Sequence, residues 1–288
     1  MSNNILITPA QLKQMSSSLP TVIIDTRSPD AYAAGHIPGA VNLHDIFTFL
    51  ATSSKEGLEA LRSKFAEEFG AIGLSGKEVA AVYEDSMDSG FGQSCRGYFL
   101  LEFLGYPKSV ILHGGYQAWV SENMPVSTEI TVPEAKEFPD NGLLSHIMLT
   151  KEDMLSSLAT KDIVKLDVRD VDEWVGSSSS PYGIDFCPRK GRIPGAVWLE
   201  WYRMMKPGEE VPIFKSKEEL QAECSTVGIT ADSTVYVYCF KGARASNTFV
   251  ALKDAGVKDV RLYFGSWNEW SRDEELPIEN GHISWDAA

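Results

Sequence analysis

The stretch Val235-Tyr236-Val237-Tyr238-Cys239-Phe240-Lys241-Gly242-Ala243-Arg244-Ala245-Ser246-Asn247 reads as an apolar strand, a compact loop running from a cysteine to an arginine, and the opening of a helix. Strand, loop and helix in direct succession are the unit of a parallel α/β sheet, in which ligands gather at the carboxyl ends of the strands. Cys239 falls at such an end, just before a helix N-terminus, where a thiolate is favoured. It is the candidate nucleophile. Phe240, Lys241, Gly242, Ala243 and Arg244 complete the loop, and the N–H groups of a loop curled this tightly make a nest for an anion. Gly242 suits the turn because it tolerates positive φ, while Lys241 and Arg244 are expected to draw an anionic donor into an acidic protein.

Working outward, the landmarks around this stretch occur twice, in the same order. Thr8-Pro-Ala-Gln11 and Thr150-Lys-Glu-Asp153 are helix-start signals. Apolar runs ending in Asp25-Thr-Arg27 and Asp167-Val-Arg169 follow, then Gly35-His-Ile-Pro-Gly-Ala-Val41 and Gly191-Arg-Ile-Pro-Gly-Ala-Val197. The run Val79 to Tyr83 answers Val235 to Tyr238, and Gly114-Gly-Tyr-Gln-Ala-Trp119 answers Gly265-Ser-Trp-Asn-Glu-Trp270. An α/β unit occurring twice is the consequence, each a parallel sheet with helices on both faces. Residues 1–127 and 146–288 are the expected domains, joined by a linker over 128–145 that carries Pro133, Pro139 and Asp140-Asn-Gly142.

The repeat supplies its own control. Glu84 follows Tyr83 where Cys239 follows Tyr238, and the loop after it is four residues longer before Trp119 and Trp270 come back into step. The longer loop, Glu84-Asp85-Ser-Met-Asp88, is acidic and unsuited to an anion. The first half is expected to be non-catalytic.

Composition narrows the classes of function. With 288 residues, 43% hydrophobic and 23% charged, the chain suits two soluble globular domains. A formal net charge of −14 argues against nucleic-acid and membrane partners. Nothing in the sequence resembles a leader or a membrane span, so a cytoplasmic protein is expected, and paired domains able to satisfy each other suit a monomer. The four cysteines, Cys95, Cys187, Cys224 and Cys239, form no CxxC pair, which argues against a zinc site and a disulfide scaffold. No metal or other cofactor is expected.

Taken together, Asp25/Arg27 with Asp167/Arg169, the Ile-Pro-Gly-Ala blocks, the Trp119 and Trp270 blocks and the Cys239–Arg244 loop resemble the tandem-domain rhodaneses along the whole chain. The resemblance implies two rhodanese-like domains, the first inactive. It also implies transfer of a sulfane sulfur through a persulfide on Cys239, from a small anionic donor such as thiosulfate to cyanide or a thiol, including a thioredoxin-like protein. Transfer from 3-mercaptopyruvate and a protein-thiol sulfur relay are the alternatives. Cysteine-dependent phosphatases and arsenate reductases resemble Cys-x5-Arg; Cys-x4-Arg here makes a shorter loop, better suited to a sulfur atom.

Two positions depart from the best-known rhodaneses. Glu173 stands four residues after Arg169, where the family's donor-binding arginine is expected, and Phe240 stands where thiosulfate enzymes often carry arginine. Lys241 matches a basic position of thiosulfate users. Arg189 and Lys190, with Arg192, lie on or beside an insertion present only in the second half and are candidates to replace the missing charge. The same insertion holds Cys187, a candidate resolving thiol. Cys95 and Cys224 read as packing residues. Asp167 and Arg169 read as an ion pair supporting the loop, as do their counterparts in the family, and His36, with its counterpart Arg192, as a brace for its turn. Trp198, Trp201, Tyr202, Trp267 and Trp270 read as packing, with some of them, beside Phe240, walling the pocket.

Overall fold

The computed structural model describes residues 5–280. The outermost residues of the two expected domains, 1–4 and 281–288, lie outside the described residues. Two compact units are present. One comprises the chain up to Phe49, then Glu56–Ser145 and Met205–Lys215; the other comprises Leu50–Lys55, His146–Met204 and the chain from Ser216 onward. Two short pieces, Leu50–Lys55 and Met205–Lys215, thus lie in the unit other than that of their sequence neighbours.

The first unit is built on β1 (Leu6–Ile7), β2 (Thr21–Asp25), β3 (Val41–Asn42), β4 (Val79–Tyr83) and β5 (Ser109–Leu112). These form one parallel sheet in the order β1-β5-β4-β2-β3. The second unit begins with β6 (Met148–Leu149), β7 (Ile163–Asp167) and β8 (Val197–Trp198). A small antiparallel pair, β9 (Met205–Lys206) and β10 (Ile213–Phe214), belongs to the first unit. With β11 (Thr234–Tyr238) and β12 (Asp259–Tyr263), the second sheet has the order β6-β12-β11-β7-β8, again wholly parallel. The two orders are the same permutation, as the duplicated landmarks require.

Helices cover both faces of such a sheet, so its central strands are buried on both sides and read as continuous apolar runs. All five residues of β4 are buried, as are the last four of β11. The helices after β1 and β6, Pro9–Ser18 and Lys151–Ser157, both open with capping boxes, Thr8/Gln11 and Thr150/Asp153. Each box satisfies two backbone donors that the first turn leaves unpaired.

Register brings the strand tips of each unit together around one carboxylate. Tyr238 pairs with Asp167 across β11 and β7, and Tyr83 with Asp25 across β4 and β2. The Tyr238 hydroxyl donates to Asp167 Oδ2 at 2.7 Å, and Arg169 donates to the same carboxylate from its backbone N–H, Nε and Nη2 at 2.6–3.1 Å. Arg169 Nη2 also reaches the Gly191 carbonyl at 2.8 Å. Asp25, Arg27, Tyr83 and Gly35 repeat every one of these contacts in the first unit. Because Asp167 and Arg169 are both wholly excluded from solvent, removing one partner strands the other's charge in the interior. Arg169→Met is therefore expected to cost about 3–5 kcal/mol of folding free energy, measured by urea denaturation. A loss under about 1 kcal/mol would show that the pair is not held dry.

Candidate active site

Cys239 is the residue after β11, and its loop passes directly into the helix Ala243–Ala255. Gly242 caps that helix at φ +89°, and its N–H points at Cys239 Sγ, 3.1 Å away. A side chain at 242 would be excluded twice, by the left-handed backbone and by Phe264, whose atoms would lie 3.1 Å from a Cβ. The floor of the loop is held from the other side. The Cys239 N–H donates to Ser266 Oγ at 3.2 Å, and the Cys239 and Phe240 carbonyls accept from Trp267 and Asn268 N–H at 3.0 and 2.9 Å. Both Cys239 and Phe240 are buried, as is Ala243. The arrangement can hold a negative charge on sulfur with a backbone N–H and a helix N-terminus, in the manner of an anion nest.

Ser266 is a functional residue that sequence reasoning passed over. It adopts φ +54°, a region few side chains enter, where the aligned first-half residue is Gly115 at φ +64°. Serine at the repeat's glycine position was the available signal. Its hydroxyl donates to the Tyr263 carbonyl at 2.8 Å while accepting from Cys239, so it ties the loop to the end of β12.

The first half preserves the scaffold and changes the occupant. The Glu84 and Asp85 carbonyls accept from Tyr116 and Gln117 N–H, as Cys239 and Phe240 do from their counterparts. Fully buried Glu84 turns its carboxylate to the N-terminus of the helix Gln93–Phe103, accepting from Gln93 N–H at 2.8 Å and Ser94 Oγ at 2.9 Å. Burial nevertheless pushes its pKa up to about 8. A carboxylate thus fills the cradle that the second half offers to a thiol.

Around Cys239 the sequence-predicted residues divide. Arg244 is not turned outward as an unengaged cation. Its Nη1 binds Glu173 Oε2 at 2.6 Å and Asp170 Oδ1 at 3.0 Å, so the charge expected to draw a donor is shared with two carboxylates. Glu173 itself is buried beside Arg244 and Arg169; burial raises its pKa while the two guanidinium groups oppose the rise. Lys241 is half-buried, with Nζ 5.3 Å from the centre of the Tyr182 ring. Tyr182 packs against Phe240, with centroids 5.1 Å apart, so the insertion forms one wall of the loop.

The proposed replacement cations are each engaged by acceptors of the protein. Arg189 is bound to the backbone carbonyls of Trp270, Ser271, Asp273 and Leu276, where it caps the end of the Trp270 segment. Lys190 donates to the Ser177 carbonyl. Arg192 pairs with Glu279 and lies over the Trp174 ring, bracing its turn. His36 does the same in the first unit, bonded to the Tyr32 and Glu129 carbonyls. Cys187 is buried among Phe240, Tyr263, Trp267 and Trp270, and burial pushes its thiol up to about 11. Cys95 and Cys224 are buried too. Among the described residues, the grouping with metal-ligand spacing is Asp170, Asp172 and Glu173, and Arg244 already engages two of its carboxylates.

A rhodanese-like domain model matches residues 8–122 and 150–273, so the chain belongs to the rhodanese family. Relatives matching nearly its whole length support a sulfurtransferase. It is 29% identical over 275 residues to the thiosulfate sulfurtransferase of Azotobacter vinelandii, covering 96% of this chain and 97% of that one. It is 30% identical over 245 residues to the thiosulfate sulfurtransferase of Mus musculus, covering 84% and 79%, and 28% identical to the sulfur carrier protein TtuD of Thermus thermophilus, covering 87% of each. The anaerobic ergothioneine biosynthesis enzyme of Chlorobium limicola shares the fold at a TM-score of 0.81 and 24% identity, over 97% of this chain and 71% of that one. Among the described residues no helix is long and apolar enough to cross a membrane.

Two predictions follow the geometry of the paired cradles. Because the folded state raises the pKa of Glu84, its favourable contribution is complete below the unfolded value near 4.5 and is lost as pH climbs through about 8. Glu84→Gln should remove that slope and gain on the wild type by up to a few kcal/mol between those limits, read from denaturation curves at several pH values. Parallel curves for the two proteins would contradict it. Gly242→Ala should cost roughly 1–3 kcal/mol through backbone strain and slow any reaction of Cys239 with an alkylating reagent or sulfur donor. Wild-type stability and reactivity would mean that the turn is not needed.

Proposed function

We propose that the chain moves a sulfane sulfur from thiosulfate to a thiophilic acceptor through a persulfide on Cys239. The observation that carries this is the Gly242 N–H directed at Cys239 Sγ within a helix-capping loop, at the position where the first unit buries Glu84. The thiolate attacks the outer sulfur of thiosulfate, the S–S bond breaks, and its electron pair leaves with sulfite. The resulting Cys–S–S⁻ is held by the same loop donors that held the thiolate. Cyanide then takes the terminal sulfur as thiocyanate, or a thiol takes it as a persulfide, and Cys239 is restored as a thiolate. Half-buried Lys241 supplies charge for the donor. The names of the bacterial and mouse relatives support thiosulfate as donor. A sulfur carrier among the relatives supports a protein thiol as a further acceptor, and a variant of the ergothioneine enzyme EanB has been solved with a cysteine persulfide.

The test is mass spectrometry of the protein after thiosulfate. One sulfur atom should be added at Cys239, lost again as thiocyanate when cyanide is supplied, and Cys239→Ser should show neither event. Absence of an adduct after thiosulfate, 3-mercaptopyruvate and an organic persulfide would end the sulfur-transfer reading; phosphate release from an aryl phosphate would replace it.

A further inference from the structure

Five ionisable side chains stand in an alternating series next to the nucleophile: Asp167, Arg169, Glu173, Arg244 and Asp170. Asp167 holds Arg169 through two oxygens, and Glu173 feels both Arg169 and Arg244 across the interior. Arg244 comes next, held by Glu173 and by Asp170, which ends the series, and attracted in turn by Cys239. Two cations therefore face three carboxylates before the thiolate is counted. A dianionic donor entering this surrounding finds the guanidinium that interacts with Cys239 already paired, in a setting where screening is weak, with half-buried Lys241 as the loop's other cation.

The contacts are one-armed. Arg244 Nη1 carries both ion-pair contacts, while Nη2, like Glu173 Oε1, is buried with no hydrogen-bond partner. Arg244 is 5% exposed and Glu173 1%, so the pair is a fixed part of the loop's support and not a surface ion pair. The Glu173 carboxylate is thus the group that decides how much of the Arg244 charge is available to whatever approaches Cys239.

We infer that Glu173 is a specificity-determining residue: by engaging Arg244 it withholds a loop cation from anion recognition and turns the site toward sulfane donors of low charge, of the organic persulfide and polysulfide class. The inference rests on the persulfide reading above and deepens it. With such a donor, R–S–SH, the Cys239 thiolate attacks the outer sulfur and the donor's S–S bond breaks. The electron pair departs with RS⁻, and Cys239 is left as Cys–S–SH, with the proton retained on the transferred sulfur. No oxidant or reductant is required. Thiosulfate remains a donor, disfavoured by its two charges.

The experiment compares wild type and Glu173→Gln with thiosulfate and with an alkyl persulfide, which carries at most one charge, as donors, cyanide being the acceptor throughout. Glu173→Gln keeps a hydrogen bond to Arg244 but removes the opposing charge. Its KM for thiosulfate should fall about tenfold relative to that for the alkyl persulfide. A thiosulfate KM that is unchanged or higher in Glu173→Gln would overturn the inference. Thermal unfolding of each variant accompanies the kinetics; if Glu173→Gln does not fold, Glu173→Asp, which keeps the charge on a shorter arm, must instead raise the persulfide-to-thiosulfate discrimination less than twofold, and a larger change overturns the inference. Wild type inert toward both donors would defeat the persulfide reading itself, whereas active wild type with unshifted donor preference defeats only the role of Glu173.

Discussion

Asp167 is the fixed point on which the reactive end of the second unit depends. Its carboxylate, with no access to solvent, accepts from the Tyr238 hydroxyl at the tip of β11 and from both side chain and backbone of Arg169. A buried carboxylate this fully bonded has one favourable geometry, so it sets the position of Tyr238 and thereby of the next residue, Cys239. The Tyr238 hydroxyl also accepts from the Ile193 N–H, so the turn after Arg192 is fastened to the same point. Arg169 lies over the Trp267 ring, 4.6 Å from its centre, which links the ion pair to the segment that receives the Cys239 carbonyl.

The first unit shows which parts of this arrangement are scaffold and which are chemistry. Asp25, Arg27 and Tyr83 form the same network, and Arg27 lies over Tyr116 as Arg169 lies over Trp267. Only beyond the tyrosine do the two units diverge. Glu84 brings its own acceptor into the cradle, so close to Gly90 that a side chain there would meet its carboxyl group. Cys239 leaves the sulfur facing the Gly242 N–H, and Ser266 takes up the strained position that Gly115 fills without cost in the first unit. The reactive loop has therefore accepted a left-handed serine for the sake of a hydrogen bond to the nucleophile's own backbone.

Much of this was legible in the residue order. The paired landmarks set two parallel sheets because each strand-loop-helix succession has few ways to bury its apolar run, and the Asp-x-Arg pairs announced a buried ion pair because neither residue is tolerated there alone. Glu84 announced its role by standing at the position of Cys239. Side-chain direction was less accessible. Arg244 reads as a loop cation until the chain brings Glu173, more than seventy residues earlier, to its guanidinium. Arg189 reads as a substrate cation until four carbonyls at the end of the Trp270 segment converge on it. Both are cases in which a cation is engaged by partners remote in sequence. Ser266 was hidden differently, since only alignment with Gly115 and the sign of φ distinguish it from an ordinary turn serine.

The central claim is that one unit of the pair forms a covalent sulfur intermediate while the other, filled by Glu84, cannot. Rapid-quench measurement of sulfite released from thiosulfate in the absence of any acceptor addresses it directly, because the first half-reaction stops once the persulfide has formed. The account predicts a burst of a single equivalent of sulfite per chain. No burst, or a burst of two equivalents, would contradict it.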